Sequence, residues 1–92
     1  MNKEVLLKEI EERITLLEVL LVSVSEIIQR DKTEGKIMAL KFIKTNSEIL
    51  GVSPYELMKI LGDKLTNSHN HIKEEFIKEG FDTIIKEYSV IA

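Results

Sequence analysis

The segment from Ile14 to Val24 is apolar on more of its helical circumference than one protein core requires. At about 100° per residue, its apolar positions divide into two stripes along an α-helix. The stripe that we predict to face the core consists of Ile10, Ile14, Leu17, Leu21, Val24 and Ile28. A second, outer stripe lies about 110° away around the helix. It consists of Leu16, Val19, Leu20 and Ile27, with Glu12 and Ser23 on the same line.

The outer stripe has two interpretations. A small protein rarely leaves such a stripe in contact with water, so the six outer-stripe residues form a predicted partner-binding surface. Alternatively, the first helix is central in a compact bundle, and neighbouring helices cover both stripes. The two interpretations differ in whether the outer stripe is exposed in the isolated protein.

Composition and charge narrow the possible classes of function. With 92 residues, 43% of them hydrophobic and 32% charged, the chain fits one globular domain spanning residues 1–92. Its net charge of −3 argues against general nucleic-acid binding, which needs an excess of Lys and Arg. The absence of cysteine excludes disulfide and thiol chemistry. The apolar run is much shorter than the roughly 20 residues of a membrane span and lacks signal-peptide features, so we expect a cytoplasmic protein.

Every segment has a helical pattern, which predicts an all-α fold: a single compact bundle with a long first helix. Polar residues and glycines indicate connections at residues 30–35 and 63–70. The predicted helices are Lys3–Gln29, Lys36–Leu50, Pro54 to near Gly62, and His71–Tyr88.

Three local signals support these boundaries and one helix contact. Gly51 follows the second predicted helix, where a left-handed C-cap residue belongs. Ser53, Pro54 and Glu56 form a typical helix start, with an N-cap oxygen, a proline at N1 and an acid at N3. Gly80 lies on the apolar face of the last helix, where glycine costs about 1 kcal/mol relative to alanine. We therefore expect Gly80 to let another helix approach closely.

The middle of the chain has the pattern of a helix-turn-helix. The stretch Leu50-Gly51-Val52-Ser53 makes the predicted turn, and Ser47 provides the small residue that the pattern requires. Leu57 and Ile60 are expected to pack back on the preceding helix. Asn46 departs from the pattern, because an apolar residue is usual at that position.

A helix-turn-helix raises the possibility of sequence-specific DNA binding. The expected recognition helix begins at Pro54. It carries one acidic residue, Glu56, and one basic residue, Lys59, and its other residues are mostly apolar. Reading base edges requires Arg, Lys, Asn or Gln together with phosphate anchors. DNA binding therefore stays an alternative, and a corner between two packed helices is the favoured interpretation.

The sequence carries no recognisable catalytic pattern, and we predict no enzymatic activity, metal or cofactor. His69 and His71 are two residues apart, which directs them to different sides of a helix, and no cysteine accompanies them. The acids of the last helix are predicted to form a solvated face rather than a catalytic carboxylate pair. They are Glu74, Glu75, Glu79 and Asp82. No nucleophile with a base, phosphate loop or cofactor fingerprint is present.

The order of these features resembles the AsiA family of anti-sigma factors from T-even-type bacteriophages. The likeness covers most of the chain: a long apolar first helix, a helix-turn-helix-like middle and a closing Glu-Gly-Phe helix. The stretches that carry it are Ile14-Thr15, Val19-Leu20-Leu21, Glu26-Ile27-Ile28, Lys59-Ile60-Leu61, Leu65-Thr66 and Glu79-Gly80-Phe81. The chain departs from the family pattern at Val22 and Ser23, where a basic and an aromatic residue are expected.

The resemblance implies a transcription regulator that binds region 4 of the principal sigma factor in a bacterial host cell, without direct contact to nucleic acid or membrane. In that family the complex blocks recognition of the −35 promoter element and of the polymerase β-flap, and a phage co-activator redirects it to phage promoters. The family also forms homodimers through the same surface. By position, that surface is Glu12, Leu16, Val19 and Leu20, with Ser23 at its edge. Another small helical inhibitor or adaptor, such as a bacteriocin-immunity-like bundle, is a further alternative.

Overall fold

The computed structural model describes residues 2–68 and 72–91, and every regular element within them is an α-helix. The predicted all-α fold class is therefore confirmed. The four helices are α1 (Lys3–Ser23), α2 (Ile27–Leu50), α3 (Pro54–Ser68) and α4 (Glu75–Ile91). They form a compact body with principal extents of 37 × 26 × 21 Å.

The first helix ends earlier than predicted, and the expected continuous helix from residue 3 to residue 29 is wrong. Residues 24–26 are not helical, because Val24 and Glu26 have extended backbones with ψ of 123° and 127°. Two donors share the carbonyl oxygen of Leu20: the Ser23 hydroxyl at 2.9 Å and the Val24 amide at 3.0 Å. Serine and β-branched residues are weaker helix formers than leucine, and a serine hydroxyl competes for backbone hydrogen bonds. These local effects end α1 although the apolar period continues.

The break changes the membership of both predicted stripes. Ile27 and Ile28 lie at the start of α2, so neither shares a face with the residues of α1. Ile28 is exposed rather than part of the core, which contradicts its assignment to the core stripe, and Val24 is half-buried. Within α1 the core stripe is correct, since Ile10 and Ile14 are buried and Leu17 and Leu21 pack against the core.

Residues 30–35 lie inside α2, so the predicted polar connection is wrong. Thr33 is buried, and its hydroxyl donates to the carbonyl oxygen of Gln29 at 2.7 Å, within the helix. Gly35, which suggested a turn in the sequence, is buried where α2 meets α4. The neighbouring residues do not distinguish a glycine that ends a helix from a glycine that lets two helices approach closely. Only the tertiary structure shows which role a glycine has.

The central helix α2 contacts the other three helices and crosses α4 at very close range. A Cβ added to Gly35 would lie 1.9 Å from the carbonyl oxygen of Ile77 on α4. A Cβ added to Gly80 would lie 2.0 Å from the carbonyl oxygen of Lys32 on α2. The expected role of Gly80 in close helix approach is therefore confirmed, and Gly35 matches it on the opposite helix.

The corner between α2 and α3 follows most of the helix-turn-helix pattern. Gly51 ends α2 in the left-handed conformation with φ of 68°, as predicted. The Ser53 hydroxyl accepts a hydrogen bond from the Glu56 amide at 3.2 Å, which confirms the N-cap. Ser47 and Leu57 are fully buried. Ile60 is 59% exposed, so the expectation that it packs back on α2 is wrong.

The last two helices differ from prediction at their ends. Helix α3 continues through Gly62 to Ser68, since one glycine inside a helix lowers its stability without stopping it. The predicted connection 63–70 is therefore wrong up to residue 68, and His69 to His71 lie outside the described residues. Helix α4 begins at Glu75 rather than His71, and the Lys78 amide donates to the Glu74 carbonyl at 3.0 Å.

One core holds the four helices together and is built mainly from aliphatic side chains. The buried apolar residues are Leu6, Ile10, Ile14, Ile37, Ala39, Leu40, Ile43, Leu57, Met58, Ile72, Phe81, Ile84 and Tyr88. The rings of Phe42 and Phe81 add an edge-to-face contact between α2 and α4, with centroids 6.2 Å apart. The core thus covers α1 from one side, which leaves its other side to solvent.

Candidate protein-binding surface

Five apolar side chains of α1 are exposed: Val5, Leu16, Val19, Leu20 and Val22. Three of them, Leu16, Val19 and Leu20, adjoin one another on one side of the helix and form what we call the exposed α1 face. Leu16 is 69% exposed, Val19 is 67% exposed and Leu20 is 47% exposed. Glu12 and Ser23, which share the predicted outer stripe, are also exposed. The interpretation that places α1 in the centre of the bundle, with both stripes buried, is therefore wrong: α2 is the central helix.

Ile27 does not belong to the exposed α1 face. It is 73% exposed, but it is the first residue of α2 and follows the non-helical residues 24–26. The structure therefore brings together five of the six predicted contact residues on one helix and leaves Ile27 on another. Because the apolar period runs across the break without interruption, the sequence pattern alone places Ile27 wrongly.

A groove of about 240 Å³ adjoins the exposed α1 face, and Leu16 belongs to both. Three helices line it: α1 contributes Arg13, Leu16 and Leu17, α2 contributes Lys36, and α4 contributes Thr83, Ile84 and Glu87. The sequence alone does not indicate the α2 and α4 contributions, because the residues are far apart in the chain and carry no shared motif. The candidate surface is therefore a helix face together with a neighbouring groove.

Arg13 of α1 lines this groove and connects α1 to α4. Its guanidinium donates hydrogen bonds to the Glu87 carboxylate and to the Tyr88 hydroxyl, the latter at 3.2 Å. The guanidinium also lies over the Tyr88 ring at 5.8 Å from its centroid. The Tyr55 ring lies 5.5 Å from the Tyr88 ring, so α3 joins the same cluster. This cluster fixes the position of α1, and with it the direction of the exposed α1 face.

Burial of Tyr88 gives the cluster a pH dependence. Burial raises the pKa of the Tyr88 phenol above its ordinary value of 10.0, and this effect outweighs the hydrogen bond from Arg13. The folded protein therefore holds the phenolic proton more tightly than the unfolded chain does. The stability that results is fully present below the unfolded pKa and is lost as the pH rises through the folded pKa.

We expect the Tyr88→Phe variant to lose less stability than the wild type in alkaline solution. Above pH ~10, the free energy of unfolding should fall with pH more steeply in the wild type than in the variant. The two slopes should differ by at most about 1.4 kcal/mol per pH unit, because in the wild type one proton is released only on unfolding. Urea denaturation between neutral and alkaline pH, followed by circular dichroism, measures both slopes. Equal slopes for the two proteins would contradict the assignment to Tyr88.

A second group of exposed apolar side chains lies at the α2–α3 corner. Ile49, Leu50 and Ile60 are all at least half exposed. The neighbouring charges are of both signs, with Glu56 and Lys59 exposed on α3. Among the described side chains of α3, an acid thus accompanies the base, whereas phosphate contacts require a cluster of cations.

The remaining sequence predictions concern metal ligands, the acidic residues of α4 and membrane crossing. Among the described side chains of residues 2–68 and 72–91, no three His, Asp or Glu residues are grouped closely enough to hold a metal ion. The predictions for His69 and His71 fall outside those residues. Of the acids on α4, Glu79 forms an ion pair with Lys32 at 3.5 Å. Within the same ranges, no helix combines the length and apolar character needed to cross a bilayer.

Comparison of the chain with protein-family models, with curated proteins and with solved structures finds no match. The resemblance to the AsiA family therefore stays a prediction from the residues that carry it.

Proposed function

We propose that this protein is an anti-sigma factor that uses the exposed α1 face to bind region 4 of a bacterial principal sigma factor. The observation that carries the proposal is the exposure of Leu16, Val19 and Leu20 on one face of a helix whose opposite face is packed. Burial of such side chains stabilises a complex by about 25 cal/mol per Å² of apolar surface removed from water. The resemblance to the AsiA family supplies the identity of the partner.

The proposed mechanism is steric and conformational. A helix face that covers region 4 competes with the −35 promoter element and with the polymerase β-flap for the same sigma surface. Such competition needs a stoichiometric complex rather than a catalytic group, metal or cofactor. A phage co-activator acting on the complex would redirect it to phage promoters. In the free protein, we propose that a second copy of the chain covers the exposed α1 face.

A pull-down with bacterial RNA polymerase tests the proposal. The tagged protein should retain free sigma factor and holoenzyme, whereas core enzyme without sigma should pass through. A gel-shift assay with the isolated protein and duplex DNA serves as the control for the alternative function. A salt-sensitive DNA shift without sigma binding would reject the proposal in favour of a helix-turn-helix regulator. Binding to neither would favour another small helical inhibitor or adaptor.

A further inference from the structure

One face of α4 presents three side chains, one helical turn apart, towards α1 and α2. Glu79 pairs with Lys32 at 3.5 Å, and Glu87 pairs with Arg13. Between these two acids the chain has Thr83, whose hydroxyl donates to the Glu79 carbonyl oxygen at 2.9 Å. The middle position of the face therefore carries no carboxylate.

Lys36 lies across the groove from this middle position, one turn after Lys32 on α2. It is half-buried and forms no ion pair with any described residue. Because Glu87 balances Arg13, the groove keeps one uncompensated positive charge. This local positive charge is opposite in sign to the net charge of the protein, which is −3.

The remaining groove walls are apolar. Leu16 and Leu17 of α1 and Ile84 of α4 line a volume of about 240 Å³, which admits a branched aliphatic side chain. A partner that covers this groove removes water from the Lys36 ammonium group. Removing a charge from water is costly unless an opposite charge replaces the lost hydration.

We propose that the groove binds an acidic amphipathic helix of a partner protein, with a carboxylate on Lys36 and an apolar side chain against Leu16 and Leu17. Charge complementarity favours this occupant, because a basic helix would meet the uncompensated Lys36. The groove adjoins the exposed α1 face, so one helix covers both. The inference deepens the proposed function by giving the chemistry of the partner, and it rests on that function only in taking the partner to be a protein.

A display library of amphipathic helical peptides tests the inference on the full chain. The peptides have a fixed leucine stripe and one randomised position beside it. The wild type should enrich Asp and Glu at that position. A peptide with Glu should then bind about fivefold more tightly than the same peptide with Gln, measured by fluorescence anisotropy. Lys36→Met should abolish the preference, and Lys36→Glu should change it to Lys and Arg.

Lys41→Glu is the matched control, because it makes the same charge change at an exposed position of α2 and should keep the acidic preference. Circular dichroism shows whether each variant is folded. If Lys36→Glu does not fold, Lys36→Met still tests the inference. The absence of selected binders, no acidic enrichment by the wild type, or an acidic preference that survives in Lys36→Met would overturn the inference. Acidic enrichment without sigma binding in the pull-down would reject the proposed function alone.

Discussion

Replacing Gly80 with alanine should destabilise this protein by at least about 3 kcal/mol, although alanine is the better helix former. The new Cβ would lie 2.0 Å from the carbonyl oxygen, 2.8 Å from the carbonyl carbon and 3.0 Å from the Cα of Lys32. All three atoms belong to the backbone of α2, so no side-chain rotation relieves the contact. The helices must separate, and the core between α2 and α4 opens with them.

Gly51→Ala provides the matched control. A Cβ at Gly51 meets nothing within 4 Å, and only the left-handed φ of 68° opposes the change. We expect it to cost about 1 kcal/mol. Thermal and urea denaturation of both variants, followed by circular dichroism, compares the two losses. If Gly80→Ala loses no more stability than Gly51→Ala, the close crossing of α2 and α4 is wrong.

Leu16→Glu should abolish partner binding while the protein stays folded. Leu16 is 69% exposed, so a carboxylate there stays hydrated in the free protein but becomes buried in an apolar interface. We expect the affinity for the sigma factor to fall at least about thirtyfold, the range of a central contact residue. Leu20→Glu should act in the same direction, and co-purification with the sigma factor measures both variants.

Ile10→Glu separates this effect from unfolding. Ile10 lies six residues before Leu16 on the same helix, but it is fully buried. A carboxylate at this position has no water and no partner cation, so the domain should unfold. If Leu16→Glu and Ile10→Glu lose helical circular dichroism equally, the distinction between the two faces of α1 fails.

Features that depend on neighbouring residues can be predicted from this sequence, whereas contacts between distant segments cannot. Gly51 and Ser53 act on their own backbone neighbours, and their capping roles are readable from a few residues. The division of α1 into two faces follows from helix geometry alone. The sequence does not indicate the end of α1, because the apolar period crosses residues 24–26 without a change of phase.

The remaining errors concern contacts between distant segments. Gly35 has the sequence signature of a turn, yet it lies inside α2, where α4 occupies the space that its missing side chain leaves. The groove beside Leu16 depends on Lys36 and Thr83, which come from two other helices. Their proximity follows from the α2–α4 crossing, and no periodicity within one helix encodes it.

Calorimetric titration of a sigma region 4 fragment into three proteins tests whether the exposed α1 face binds the sigma factor. These are the wild type, Leu16→Glu and Ile49→Glu. Ile49 is 74% exposed on α2, so its variant introduces the same charge at an equally exposed apolar position outside the exposed α1 face. We expect a one-to-one complex with the wild type and with Ile49→Glu, and no detectable complex with Leu16→Glu. Equal binding by all three proteins, or no binding by the wild type, would contradict it.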